Sequence, residues 1–468
     1  MNKTNQELYR GLTLTAATMV VIGSVIGSGI FRKPATMAGQ LLSPELLILV
    51  WIAAGIITYI GALTNSEIAG MIDAPGGQFV YFKAMYGDFI AFLYGWATLS
   101  VIQSGSQAAI AYAFAEYTGY FFEFPRFSKE IESFALYMPF VGDIFPLRDF
   151  GTKTAAIICT IFITGVNYVG VIAGGKLQTI VTWMKIAFIL ILAALIFSIG
   201  NGSISNTYNG FHIPESISKN LFSILGLALA GAFWAYDGWN NVTYLAGEIK
   251  NPKRNVPLSL LIGTLTVISV YVLINLAFLY VLPVEKMAES PLVAASAAEI
   301  IFGPIGASII AFAVIVSTFG ALNGSILSTS RVFYAMARSN MFFKSLGSVH
   351  PRFKTPHISL FVLGFWTCVL VLTGSFDIIT DYVIFAAWLF YGLGAFGVFI
   401  LRKKMPDTPR PYKVWGYPFL PAVFVTFSFI FLLNTLISDT QNAMMGLILI
   451  FSGLPFYFYW KNKKNNII

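Results

Sequence analysis

Glycines interrupt an apolar segment close to the N-terminus, at Gly23, Gly27 and Gly29. Membrane helices tolerate such breaks where the freed backbone groups line a cavity or find other partners. A break between Gly27 and Gly29 would leave free N–H groups at the start of a half-helix, where they favour an anion. The carbonyls of Val25 and Ile26 would accept hydrogen bonds from an ammonium group. The pattern predicts a site for a zwitterion such as an amino acid, although Gly23 and Gly27 also fit a Gly-xxx-Gly motif that serves only close helix packing.

A second apolar segment is interrupted near its middle, at Asp237 and Gly238. A charged residue inside a membrane segment is costly and needs a partner or a task. Asp237 either caps the half-helix that begins at Gly238 or sets the substrate preference by admitting cationic or strongly polar substrates. Two interrupted segments at corresponding positions of two halves are typical of the midplane site of a transporter.

One basic residue, Lys185, lies well inside an apolar segment, about 13 Å along a helix from Lys176. Its side chain either snorkels to the interface or serves the site. A lysine in the membrane can also lose its proton, which leaves proton coupling open. Glu67, near the end of another apolar segment, is interpreted as a structural residue at a wet interface.

The elements that must position these residues are membrane helices. Of the 468 residues 57% are hydrophobic and 11% charged, against about a quarter charged in soluble chains. This composition excludes disordered, collagen-like and disulfide-scaffold classes, and the scattered basic residues form no face for nucleic acid. Apolar runs of membrane-spanning length predict an all-α membrane protein with twelve transmembrane helices. Their approximate extents are 12–38, 45–72, 88–119, 152–172, 178–199, 220–247, 257–282, 304–336, 358–374, 378–402, 417–437 and 442–460.

Few residues of the chain suit catalysis or metal binding. The two cysteines, Cys159 and Cys368, both lie in apolar runs and are interpreted as buried small hydrophobic residues. The three histidines accompany no catalytic, metal-binding or phosphate-binding pattern. We therefore expect no cofactor, no metal site and no enzyme activity.

The two interrupted segments divide the chain into matching blocks. A single transmembrane domain, 1–468, is predicted to contain a first repeat at 11–200, a second at 220–402, and two added C-terminal helices at 417–460. Because each repeat has five helices, an odd number, the second enters the membrane from the opposite side and the repeat is inverted. Placing the N-terminus in the cytoplasm leaves most of the 29 Lys and Arg residues in cytoplasmic loops. An even number of spans then puts the C-terminus there too.

Short motifs along most of the chain resemble the L-type amino acid transporters of the amino acid/polyamine/organocation (APC) superfamily. The motifs are Ile26-Gly27-Ser28-Gly29-Ile30-Phe31, Pro75-Gly76-Gly77-Gln78-Phe79-Val80-Tyr81, Trp234-Ala235-Tyr236-Asp237-Gly238-Trp239-Asn240, Gly247-Glu248-Ile249-Lys250-Asn251-Pro252 with Pro257, Leu322-Asn323-Gly324-Ser325 with Ser330-Arg331, Leu401-Arg402, and Pro406-Asp407-Thr408-Pro409-Arg410-Pro411. Among such proteins the chain looks most similar to bacterial exchangers of serine, threonine and other small neutral amino acids.

The resemblance implies a leucine-transporter-like (APC) fold and assigns roles to individual residues. It gives the substrate carboxylate to the N–H groups of Ser28 and Gly29, and the ammonium to the carbonyls of Val25 and Trp234. The Trp234 ring would be the gate. The resemblance also places the Lys185 ammonium where sodium binds in sodium-coupled relatives, with Ser317 as its partner.

Further positions follow from the same resemblance. Span three places Ser106, with Gln103 and Ser104, near the pocket for the substrate side chain, and span ten places Trp388 at an aromatic pocket position; packing is the alternative role for each. The predicted substrate-binding residues are Val25, Ile26, Gly27, Ser28, Gly29, Ser106, Trp234, Ala235, Asp237 and Asn240. The predicted coupling and gating residues are Lys185, Ser317, Trp234 and Trp388.

The function expected from the sequence is alternating-access transport of L-amino acids in the plasma or inner membrane. Sodium-independent exchange of small neutral amino acids such as serine, threonine and alanine is the first hypothesis. Proton-coupled symport, exchange of cationic amino acids or amines, and a non-transporting nutrient sensor are the alternatives. Eukaryotic members of the family that the chain resembles bond to a heavy-chain partner through a cysteine in the loop after span three. This loop has no cysteine here, so we expect no disulfide-linked heavy chain, and a monomer or weak homo-oligomer in the lipid bilayer.

Overall fold

A computed structural model describes residues 8–138, 142–208, 210–211, 213–290, 292–373 and 376–465. The ends of the predicted single domain, 1–7 and 466–468, therefore lie outside the described residues. The α-helices are α1 (Leu14–Val25), α2 (Gly29–Leu41), α3 (Pro44–Met71), α4 (Gln78–Tyr86), α5 (Asp88–Ala97), α6 (Gln103–Thr118), α7 (Lys129–Glu132), α8 (Phe150–Val169), α9 (Val171–Ile199), α10 (Glu215–Ser218), α11 (Leu221–Tyr236), α12 (Pro252–Val281), α13 (Val284–Glu289), α14 (Val293–Phe302), α15 (Ile305–Arg338), α16 (His357–Thr373), α17 (Phe376–Lys404), α18 (Phe419–Ser438), α19 (Thr440–Phe451) and α20 (Leu454–Asn465).

Other regular elements are short. A π-helical turn, Thr98–Ile102, joins α5 to α6, and a 3₁₀ helix, Trp239–Glu248, follows α11. Two further 3₁₀ turns are Ile204–Asn206 and Lys344–Gly347. An antiparallel pair of strands, β1 (Leu136–Met138) and β2 (Gly142–Ile144), pairs Leu136 with Ile144 and lies in the loop between α6 and α8.

Ten helical segments in the described part of the chain are long and apolar enough to cross a membrane, with α1 and α2, α11 and the 3₁₀ helix after it, and α19 and α20 each counted as one segment. The predicted spans 88–119 and 358–374 are not among the ten. The first consists of α5, the π-turn and α6, and the second is α16, with only 17 residues. Twelve spans and the inverted repeat therefore stay predictions. The predicted span 442–460 consists of α19 and α20, since Pro455 lacks an N–H and disfavours a continuous helix.

The interrupted helices occupy the centre of the molecule. The half-helix α1 packs against α9, α12 and α15, and α2 packs against α11. Helix α12 also packs along α3, and α15 along α6 and α9. We call the end of the molecule at which α1 begins the N-terminal face, and the end at which α2 finishes the opposite face.

Buried ion pairs tie the helices together at the N-terminal face. Both side chains of the Arg331–Glu248 pair are 0% exposed, and Arg331 Nε lies 2.6 Å from Glu248 Oε2. Leu12 forms an isolated backbone bridge with Ile249: its N–H donates to the Glu248 carbonyl, and its carbonyl accepts from the Lys250 N–H. Glu67 is also paired, with Arg402 Nη2 2.7 Å from its Oε2. The buried charges of these two pairs are thus compensated, as membrane burial requires.

Candidate substrate-binding site

The first break separates α1 from α2. Helix α1 ends at Val25, and Ile26 leaves the helical conformation with φ −71° and ψ 92°. Helix α2 begins at Gly29, and the preceding Ser28 forms no side-chain cap. The first N–H groups of a helix have no partner within it. The start of α2 therefore presents free donors and the positive end of a helix dipole.

The second break follows α11. Asp237 is extended, with φ −67° and ψ 157°, and Gly238 has φ +93°, in the left-handed region that glycine occupies readily. The Asp237 carboxylate accepts a hydrogen bond of 2.6 Å from the Tyr391 hydroxyl of α17. Asp237 is 9% exposed, and no Lys or Arg among the described residues pairs with it.

The two breaks touch each other at glycines. A Cβ atom on Gly29 would lie 2.7 Å from the Cα of Ala235, and one on Gly238 would lie 3.2 Å from the carbonyl oxygen of Ser24. Side chains at either position would push the half-helices apart. The glycines therefore allow the two interrupted helices to cross at the site.

Lys185 projects from α9 into the first break. Its Nζ donates to the carbonyl oxygens of Gly23 at 2.9 Å, Ile26 at 2.5 Å and Ser317 at 3.1 Å. The Ser317 hydroxyl of α15 also donates to the Ile26 carbonyl, at 3.1 Å. The ammonium thus joins α1, α9 and α15. Because the Ile26 carbonyl already accepts two hydrogen bonds, Val25 has the more available oxygen.

A residue that the sequence reasoning missed connects the two breaks. The hydroxyl of Tyr271, on α12, lies 3.0 Å from the carbonyl oxygens of both Val25 and Ala235. Tyr271 is 0% exposed, and a buried tyrosine hydroxyl usually finds a hydrogen-bond partner. A tyrosine in the middle of the apolar segment 257–282 was the signal that could have identified it.

A narrow cavity lies where the two breaks cross. Its lining residues are Ser24, Val25, Gly27, Ser28, Gly29, Ser106, Ile110, Trp234, Asp237, Gly238, Asn241 and Ser325. The cavity volume is about 20 Å³, which is room for about one ordered water. The helices are therefore closed around the site in this conformation.

Most, but not all, of the predicted substrate-binding residues line this cavity. Ile26, Ala235 and Asn240 do not; Ile26 and Ala235 take part through their backbones, and the neighbouring Asn241 lines the cavity beside Asn240. The other lining residues, which the sequence reasoning did not select as substrate-binding, are Ser24, Ile110, Gly238, Asn241 and Ser325.

Polar side chains from three helical segments hold the wall of the cavity beyond Ser106. Gln103 Nε2 donates to Asn241 Oδ1 at 3.1 Å, and Ser325 Oγ donates to Gln103 Oε1 at 3.1 Å. Gln103 follows the π-turn directly, and such turns frequently occur at functional sites. The network fixes Asn241 and Ser325 at the edge of the site.

Trp388 does not reach the cavity. Its ring lies 4.0 Å from the ring of Phe233 and 5.1–5.5 Å from those of Phe424 and Phe431. The structure therefore places it in an aromatic cluster between α11, α17 and α18. In this conformation Trp388 therefore packs between helices, which is the alternative role that the sequence analysis considered.

Trp234 lies between the narrow cavity and a larger one. The second cavity has a volume of about 330 Å³ and is lined on the far side of Trp234 by residues of α2, α11, α17 and α18, including Lys33 and Gln40. Trp234 is the residue that lines both cavities. Trp234 is 6% exposed, and its role as a gate stays a prediction.

The sequence of the chain was compared with those of known proteins. The sequence profile of the amino acid permease family matches residues 12–454. The serine/threonine exchanger SteT of Bacillus subtilis is 32% identical over 467 residues, covering 99% of this chain and 100% of that protein. The human b(0,+)-type amino acid transporter 1 is 31% identical over 462 residues, covering 98% and 89%. The human large neutral amino acids transporter small subunit 2 is 30% identical over 465 residues, covering 97% and 82%.

These matches extend over almost the whole chain, and they confirm the resemblance seen in the sequence motifs. The apolar helices and the relatives together describe a multi-pass membrane protein for transport. The chain belongs to the amino acid permease family.

Proposed function

We propose that the protein exchanges small neutral L-amino acids across the membrane by alternating access and without sodium. The crossing of the two breaks supports this proposal most directly. Free N–H groups at Ser28 and Gly29 suit a carboxylate, and the carbonyls of Val25 and Trp234 suit an ammonium. Both charged groups of an amino acid would thus be bound by backbone atoms.

The position of Lys185 supports the proposed sodium independence. In transporters of this construction, unwound carbonyls commonly coordinate the coupling cation. Here the carbonyls of Gly23, Ile26 and Ser317 accept hydrogen bonds from the Lys185 ammonium. The Lys185 ammonium, a positive charge fixed to the protein, thus occupies the place that a coupling sodium ion would take.

The cavity favours small side chains. Ser106, Ile110, Asn241 and Ser325 close its wall, and its volume is about 20 Å³ in this conformation. A serine, threonine or alanine side chain needs less rearrangement than a bulky one. The name of the SteT relative, a serine/threonine exchanger, agrees with this substrate class.

The proposal includes the architecture expected from the sequence. Twelve spans contain two inverted repeats of five helices, at 11–200 and 220–402, with two helices added at 417–460. The N-terminal face, with the Arg331–Glu248 pair, is cytoplasmic and closed. The cavity of about 330 Å³ beyond Trp234 is then the outward vestibule.

Reconstitution in liposomes tests the transport mode. Uptake of radiolabelled serine should require unlabelled serine or alanine inside the vesicles and should be unchanged when choline replaces sodium. The same protein without internal amino acid is the control. Uptake into empty vesicles driven by an acid-outside gradient would establish proton symport instead and reject exchange.

The carboxylate at the site favours a second candidate, exchange of cationic amino acids. Asp237 lines the cavity and accepts a hydrogen bond from Tyr391, with no basic partner among the described side chains. A substrate cation would compensate a buried negative charge.

Asp237→Asn distinguishes the two candidates because it keeps the shape and removes the charge. If cationic substrates are transported, competition of radiolabelled serine uptake by arginine should weaken by about tenfold or more, the effect of losing one buried charge partner. Tyr391→Phe, which keeps the carboxylate, is the control. An unchanged competition profile would exclude Asp237 as a determinant of substrate charge.

A further inference from the structure

An apolar groove runs along the outer surface of the molecule between α8 and α16. Its volume is about 610 Å³, and its walls include Ile161, Gly165, Phe361 and Phe365. These walls face outward: Ile161 is 62% exposed and Phe361 70%. The groove lies outside the substrate pathway, on a face that contacts lipid in a membrane.

The dimensions of the groove suit one hydrocarbon chain. It extends along α8 from Ile157 to Tyr168, about 16 Å at the rise of an α-helix. The acyl chain of one leaflet spans about half of the ~30 Å hydrocarbon core. Gly165 leaves the floor of the groove open, since it has no side chain and a Cβ atom there would meet nothing within 4 Å.

A polar cluster marks the end of the groove at the N-terminal face. The rings of His350 and His357 lie 5.3 and 6.2 Å from the ring of Tyr168, and the Phe353 ring lies 5.6 Å from it. The Thr355 hydroxyl donates to the Tyr168 carbonyl at 2.9 Å. Nδ1 of His357 is buried and has no hydrogen-bond partner among the described residues. The loop is therefore anchored to the groove at Tyr168, and the His357 ring is one of the groups that line this end of the groove.

Positive charge surrounds this cluster. Arg352 and Lys354 flank Phe353, and the segment 339–356, which joins α15 to α16, contains no acidic residue. Arg352 is exposed, and no salt bridge within the described part of the chain involves either residue. An apolar channel that ends in uncompensated positive charge complements a molecule with a hydrocarbon chain and an anionic head.

We propose that the groove between α8 and α16 binds an anionic phospholipid. One acyl chain lies along Ile161, Gly165, Phe361 and Phe365, and the phosphate lies beside His357, Arg352 and Lys354. Basic pockets between helices at the cytoplasmic side are known to bind anionic head groups. The N-terminal face is the one that we propose to be cytoplasmic, so the head group lies at the matching depth.

Lipid binding to the purified full-length protein tests this site. Native mass spectrometry in detergent measures the affinity of the first phosphatidylglycerol, with phosphatidylcholine of identical acyl chains for comparison. The wild type should bind phosphatidylglycerol more tightly. Arg352→Gln with Lys354→Gln should weaken phosphatidylglycerol at least about fivefold, the weight of one basic residue near anionic lipid, and leave phosphatidylcholine unchanged. Lys461→Gln with Lys463→Gln, exposed on the same face, is the matched charge control and should change neither.

The groove itself is tested by filling it. Gly165→Leu should weaken both lipids, whereas Ala422→Leu, at an exposed position of α18, should weaken neither. Phe361→Ala removes an exposed wall of the groove and provides a second variant, and the melting temperature of each variant reports its folding. Equal affinity of the wild type for the two lipids would reject the proposal. An equal loss of phosphatidylglycerol affinity in the Arg352/Lys354 and the Lys461/Lys463 double variants would reject it too. A Gly165→Leu variant that turns a dimer into a monomer with lipid binding unchanged would identify a second copy of the chain as the occupant instead.

Discussion

Lys185 shows how a single charged residue is accommodated inside the membrane. Its three acceptors are all backbone carbonyls, from α1, the first break and α15. Lys185 does not line the substrate cavity. Its contribution is therefore expected in the movement of the helices more than in the binding of the amino acid.

Lys185→Ala should lower the rate of exchange and leave the affinity for serine almost unchanged. The substitution removes a donor from three buried carbonyls, of which the Ile26 carbonyl keeps the Ser317 hydroxyl as a partner. A buried group left unsatisfied costs about 1–3 kcal/mol, enough to slow turnover about tenfold or more. Initial rates of serine exchange over a range of concentrations separate kcat from KM. Lys176→Ala, at an exposed position of the same helix, is the control. Normal kinetics for Lys185→Ala would remove the coupling role.

Tyr271 is the second residue whose hydrogen bonds predict an effect on transport. Tyr271→Phe keeps the ring and removes the hydroxyl that contacts Val25 and Ala235. We expect serine exchange to fall several-fold, since one hydrogen bond contributes about 0.5–1.5 kcal/mol. Tyr280→Phe, near the C-terminal end of the same helix, is the matched control. Equal activities of the two variants would show that Tyr271 is only a packing residue.

At the scale of elements, the contact between the two breaks is closer than helix packing usually allows. Gly29 lies against Ala235, and Gly238 against the backbone of Ser24. Close packing without voids makes added methyl groups costly at such contacts. The relative position of the half-helices is therefore sensitive to single atoms.

Gly29→Ala should disrupt both the site and its stability. The new Cβ would lie 2.7 Å from the Cα of Ala235, and overpacking of this kind costs about 1–3 kcal/mol. We expect a lower melting temperature in detergent and loss of serine exchange. Gly39→Ala on the same helix would meet Ala288 at an ordinary 3.6 Å and should be tolerated. Wild-type behaviour of Gly29→Ala would contradict the close crossing.

The sequence predicted the breaks well and their partners poorly. Glycine and an acid are local signals, so Gly27–Gly29 and Asp237–Gly238 were located without knowledge of the fold. Tyr271 could not be placed, because its partners depend on how α12 packs against α1 and α11. Trp388 illustrates the same limit, since aromatic residues are 16% of the chain and most of them serve packing.

At the scale of the whole molecule, the N-terminal face is held by charge inside an apolar protein. The Arg331–Glu248 pair joins α15 to the 3₁₀ helix of the second break, and the backbone of Leu12 adds the chain before α1. The half-helix α1 and the 3₁₀ helix of the second break are thereby held together at the same face. For this face to open, the Arg331–Glu248 pair and the Leu12 bridge must either break or move together.

Arg331→Met should destabilise the protein strongly. It would leave the Glu248 carboxylate buried without its partner, at a cost of about 3–5 kcal/mol. The melting temperature in detergent should fall far more than for Arg126→Gln, which removes a largely exposed arginine from a surface pair. Replacing both partners, by Arg331→Met with Glu248→Gln, should recover part of the loss. Equal stabilities of the two single variants would show that the buried pair does not close this face.

The Tyr271 hydroxyl has one proton and faces two carbonyl oxygens at the same distance. At any moment one of these oxygens is therefore without the proton. An incoming ammonium group carries three and can supply the oxygen of Val25 while the tyrosine supplies that of Ala235. The loaded protein then has a full set of hydrogen bonds, whereas the empty one is short of a donor from the protein itself. We expect this shortage to slow the return of the empty protein and to couple the exit of one amino acid to the entry of another.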